Sequence, residues 1–182
     1  MMTRISFSVA AAILIAMPLS PAQAGTITVT DEARTKIQDL DARAAALAVA
    51  ADQFTMIVRN TQLAPTSHLE QLIAIREDVN AMGREIATLN GEHEALPPWE
   101  QRTIARTLPL LKDAAANAEK AIEFFNANRV HLWAGAEYRH YADQICKDSE
   151  QMQKELAENL ELARLQNKEH HLKGTLDTES GE

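Results

Sequence analysis

Apolar residues recur along this chain at alternating steps of three and four. In three long segments no ionisable side chain interrupts them. Ile37, Leu40, Ala44, Leu47, Ala51, Phe54 and Val58 form the first seam. Leu72, Ile75, Val79, Met82, Ile86 and Leu89 form the second. Ile104, Leu108, Leu111, Ala115, Ala118, Ile122 and Phe125 form the third. That spacing places each set on one stripe of an α-helix. A stripe must be buried against another, so the pattern predicts a packed helical bundle. It also predicts a core closed to buried acid–base or metal chemistry.

The segments between the seams set the helix boundaries. The first helix is expected from near Thr30 and Asp31, with acids in its opening turn, to about Gln62. Ala64-Pro65-Thr66-Ser67 reads as a turn, and Ser67-x-x-Glu70 as a capping box that restarts a helix. Asn90-Gly91 ends that helix, with Gly91 suited to a left-handed cap. Leu96-Pro97-Pro98-Trp99 opens the third, because proline is tolerated where a first turn has no amide partner. Asn126, Asn128 and Arg129 interrupt it, and a fourth helix runs from between His131 and Ala136 to about Leu172. Short turns between long helices imply antiparallel neighbours. The expected fold is all-α, an antiparallel up-down-up-down four-helix bundle. A three-helix arrangement with one helix swapped to a partner is the alternative.

Two residues break the helical ideal. Pro109 falls in mid-helix, where it removes a backbone hydrogen bond and is expected to bend the rod. Gly83 interrupts the second helix at a cost of about 1 kcal/mol relative to Ala. Small residues on several helices fall at that height, so a narrow, closely packed waist is expected there.

Met1 to Arg4 give a short positive start, and Ile5 to Met17 are mostly apolar. Pro18, Pro21 and Ala22-Gln23-Ala24 follow. This is the pattern of a signal peptide, 1–24, cleaved after Ala24. The expectation is a periplasmic or secreted chain with one domain, 25–172, and a flexible acidic tail, 173–182. The whole chain carries a net charge of −8, and loss of Arg4 makes it −9. That balance speaks against nucleic acid and anionic lipid as main partners. One cysteine, Cys146, allows no internal disulfide, and its neighbour Ile145 suggests a buried thiol.

Candidate chemistry is sparse. Glu137-x-x-His140 matches half of a di-metal bundle motif, but a second copy and inward carboxylates on the other helices are lacking. There is no Cys-x-x-Cys-His for covalent haem. Met82 and Met152 lie on seams, but at different heights. His170 and His171, adjacent in sequence, do not share a helix face. His68 and His93 flank the second seam and read as boundary residues. Phe54, Phe124, Phe125, Trp133, Tyr138 and Tyr141 map to one bundle end, as a plug or a small pocket rimmed by Glu137, Arg139 or His140. Helix four outruns its partners, leaving Leu160, Leu162 and Leu165 near an overhang that suits a protein partner. No catalytic, cofactor-binding or metal-ligating residue is nominated.

Asn80-Ala81-Met82-Gly83-Arg84-Glu85, Leu96-Pro97-Pro98-Trp99-Glu100, Phe124-Phe125-Asn126-Ala127-Asn128, Leu132-Trp133 and Glu137-Tyr138-Arg139 resemble segments of a group of exported bacterial helical-bundle proteins with no assigned activity. The resemblance spans roughly residues 65 to 142 and implies a stand-alone helical domain. The expected function is therefore non-enzymatic: an exported bundle acting through protein contacts in the cell envelope, adaptor or chaperone-like. A small-ligand or haem-binding bundle is the alternative.

Overall fold

The computed structural model describes residues 26–60, 62–128 and 135–179. The expected leader, Trp133 and the last three tail residues lie outside them. Four helices follow in order: α1, Thr26–Arg59; α2, Pro65–Gly91; α3, Pro98–Ala127; and α4, Ala136–Glu179. A single 3-10 turn, His93–Ala95, links α2 to α3. Each helix packs on its sequence neighbours, and α1 also packs on α4, while the α1–α3 diagonal barely meets. This is the expected antiparallel four-helix bundle.

The first two seams are buried along their whole length, from Ile37 to Val58 and from Leu72 to Leu89. The third is rotated. Leu108 and Ala115 are only partly buried, and Thr103, Thr107, Ala114 and Ala121 take interior positions instead. Threonine is tolerated there because each hydroxyl donates back along its own helix. Thr103 Oγ1 reaches Trp99 O at 2.8 Å, and Thr107 Oγ1 reaches Thr103 O at 2.8 Å. On α4 the buried stripe is Tyr138, Ala142, Ile145, Ser149, Met152, Leu156, Asn159 and Ala163. Ser149 and Asn159 satisfy themselves on Ile145 O and Glu155 O in the same way, at 2.6 Å each.

Several termini differ from expectation. α1 starts at Thr26 with no acid in its first turn and stops at Arg59. Asn60 then folds the chain: its side-chain oxygen accepts from the Gln62 amide at 3.0 Å. α2 begins at Pro65, two residues before Ser67, with Ala64 at the cap and no side-chain cap bond, so the capping box is not formed. Proline's fixed φ starts the helix without it. Gly91 remains inside α2, and Glu92 caps it at φ −98°, so no left-handed residue is used. α3 opens at Pro98 and closes on Asn128, whose backbone amide and side chain both donate to Phe124 O. α4 continues to Glu179, past the expected end at Leu172.

The two helix breakers are absorbed on the surface. α3 runs unbroken through Pro109. Both Pro109 and Ala105 are exposed, so the carbonyl that proline leaves without its amide faces water. At Gly83 an added Cβ would meet nothing within 4 Å. The expected narrow waist is therefore not present there.

Candidate functional site

At the end holding the α1–α2 turn, Tyr138 of α4 is fully buried. Phe54 meets its ring edge-on at 5.5 Å between centroids, and Phe124 stacks on it at 5.2 Å. His68, in the first turns of α2, lies 5.8 Å from the same ring, and its Nδ1 sits 3.4 Å from the Tyr138 hydroxyl. Burial pushes the Tyr138 hydroxyl up and the His68 imidazole down, so both are neutral near pH 7. Gly135 is where this cluster meets the chain: a Cβ there would sit 2.2 Å from Phe124 Cζ. Tyr141 is partly buried, while Glu137, Arg139 and His140 are exposed on the outer side of α4. The two residues of the half di-metal motif thus point away from the core. The nearby crevice between α2 and α3, lined by Leu69, Ile73, Ile122 and Phe125 among others, encloses about 10 Å³, room for one water. The aromatic end is filled by its own side chains.

The opposite end holds the least expected group. Glu100, in the first turn of α3, is 1% exposed, and its Oε2 has no hydrogen-bond partner. Burial raises its carboxyl to about 7, against the opposing field of Arg34. Charge is therefore not wholly shut out of the interior, as the seams alone implied. The pattern did hold a signal for both buried ionisable groups. One step of four back from Ile104 lands on Glu100, and one step of four back from Leu72 lands on His68.

Cys146 is half-buried rather than buried, with Sγ 3.7 Å from Glu150 Oε1. Burial first, then Glu150, Asp52 and Asp143, push its thiol up to about 11, which makes it a poor nucleophile at neutral pH. Met82 and Met152 are both buried core residues, and Met56 is exposed. Among the described residues no three His, Cys, Asp or Glu side chains come together as a metal-binding group, and no helix is long and apolar enough to cross a membrane.

The third candidate is a surface. An open groove of about 440 Å³ runs between α1 and α4, floored by Ala157 and Leu160 and rimmed by Arg34, Asp41, Glu161 and Arg164. Leu162 and Leu165, on the solvent side of the same α4 segment, are 56% and 53% exposed. α1 reaches back to Thr26, earlier than the sequence suggested. The last buried seam residue seen on α4 is nevertheless Ala163. No protein family model, curated protein or solved structure matches this chain.

Proposed function

We propose that this chain is an exported, non-enzymatic helical bundle that works through protein contacts in the cell envelope, as an adaptor or chaperone-like factor. The observation that carries the reading is the pair Leu162 and Leu165, both more than half exposed on the solvent side of the α4 segment whose other side lines the α1–α4 groove. Large apolar side chains exposed one helical turn apart favour a protein partner. Glu161 and Arg164 give the same α4 segment both signs of charge, so the partner that fits is an amphipathic helix with an apolar ridge flanked by acidic and basic residues. The acidic net charge and the apolar seams of α1 and α2 support the same reading. The small-ligand or haem alternative has less support, because the aromatic end is filled.

The test starts with envelope extract passed over the immobilised chain, with and without residues 163–182. A recovered partner is then purified and titrated against a Leu162→Ser, Leu165→Ser double variant. Each leucine accounts for roughly 1 kcal/mol of burial, so binding should weaken on the order of ten-fold or more. Equal affinity for the double variant, or the same recovered proteins without residues 163–182, overturns the docking surface.

A further inference from the structure

Glu100 occupies an interior position that packing alone would give to an apolar residue. A carboxyl at an interior position is normally replaced by an apolar residue or given a full set of partners. Here one oxygen is buried and orphaned. The bridge from Arg106 to Glu155, 3.3 Å, sets the register between α3 and α4. Six residues earlier on α3, Glu100 lies level with Glu161, within the span that buries Asn159 and Ala163.

The charged groups around it are unequally placed. From α1, the Arg34 guanidinium favours the ionised form, Lys36 is taken up by Glu92 at 3.6 Å, and Asp41 lines the groove that also holds Arg34 and Glu161, its carboxyl raised by burial. At this level α2 offers the buried Leu89, and the connection to α3 offers the buried Leu96 and the exposed Glu94. His93 stands in the same connection. From α4, Glu161 and Arg164 pair with each other at 3.5 Å. On α3 itself Arg102 is exposed. The positive end of the α3 dipole adds a small preference for the anion.

We propose that Glu100 is a proton-operated latch on this end of the bundle. Neutral, it lets the first turn of α3 and the Leu96–Trp99 segment seat on α1 and α4. Ionised, it draws water to its orphaned oxygen and unseats that turn, exposing Leu96 and Trp99. The balance falls near neutrality, because burial outweighs Arg34 and holds the carboxyl near pH 7. A protein displayed outside the cytoplasm would then present different surfaces on the two sides of neutral pH. The latch is independent of the docking reading and is tested without any partner.

Trp99, partly buried beside Glu100, is the reporter. The chain has two tryptophans, so Trp133→Phe leaves Trp99 as the single indole. Its emission, and amide exchange across residues 96–104, are followed from pH 5 to 9. The expected result is a red shift and a loss of amide protection, taken relative to the intrinsic exchange rate at each pH, with a midpoint near 7, both lost in Glu100→Gln and both kept in His93→Asn. A flat response in the parent chain, or an unchanged midpoint in Glu100→Gln, overturns the latch. If Glu100→Gln does not fold, the carboxyl carbon-13 resonance of Glu100 in the parent chain decides. A midpoint near 7 supports the proposal, and an ordinary glutamate midpoint overturns it.

Discussion

Gly83 and Gly135 show how local space, not residue type, sets the energetics. Gly83 is a helix interior position with open space where a Cβ would stand. Alanine there narrows the unfolded chain's freedom and meets nothing, so Gly83→Ala should raise stability by about 0.5–1 kcal/mol. Gly135 is the reverse case. A methyl group there collides with the Phe124 ring, which is stacked on the buried Tyr138 and has little room to move. Gly135→Ala should therefore destabilise the chain by roughly 1–3 kcal/mol. Urea melts of both variants check the pair, and equal shifts of the same sign would contradict it. The glycine spacing was visible in the sequence, but the surroundings were not. Small residues at one height suggested a waist, whereas the neighbouring helices leave Gly83 open.

At the level of the helix, the seams tell which faces pack and where pattern reading falls short. α1 and α2 carry one unambiguous stripe each, and every residue assigned to it is buried. α3 offers two candidate stripes, because Thr103, Thr107, Ala114 and Ala121 run beside Ile104, Leu108, Leu111 and Ala118. Apolarity favours the second set. Burial draws on both, since self-bonded threonines and alanines let α3 approach closely. The rotation has a measurable consequence. Leu47 is fully buried, and Leu108 is only partly so. Leu47→Asp buries an unpaired charge and should unfold the domain, a loss of about 3 kcal/mol or more. Leu108→Asp can turn its carboxylate to water and should cost distinctly less. Thermal melts giving Leu108→Asp the larger loss would restore the third seam as first read. Cap chemistry was the weakest guide: Ser67 and Glu70 had the right spacing, yet Pro65 had already started the helix.

Across the whole molecule, His68 and Glu100 place opposing pH dependence at the two ends of one bundle. His68 has a folded pKa lowered by burial, so its contribution is full above the unfolded value and fades as pH falls through that value. Glu100 has a folded pKa raised from 4.5 to about 7. Its contribution is full below 4.5 and is lost progressively as pH rises through 7. Both groups continue the apolar seams by one step, which is why the pattern located them and why their chemistry stayed hidden. A seam predicts burial, and burial is what displaces a pKa. Glutamine keeps the shape of the neutral acid and cannot ionise. The melting-temperature difference between Glu100→Gln and the parent chain should thus be near zero at pH 4.5, grow up to pH 7, and level off above it. The plateau corresponds to at most about 3 kcal/mol, a gain on the order of 5–10 °C for a chain of this size. In the Glu100→Gln background the remaining slope near pH 6 should be positive and should vanish in Glu100→Gln, His68→Asn. A pH-independent difference would mean that Glu100 titrates alike in the folded and unfolded chain, and that burial at the α3 end of the bundle does not displace its pKa.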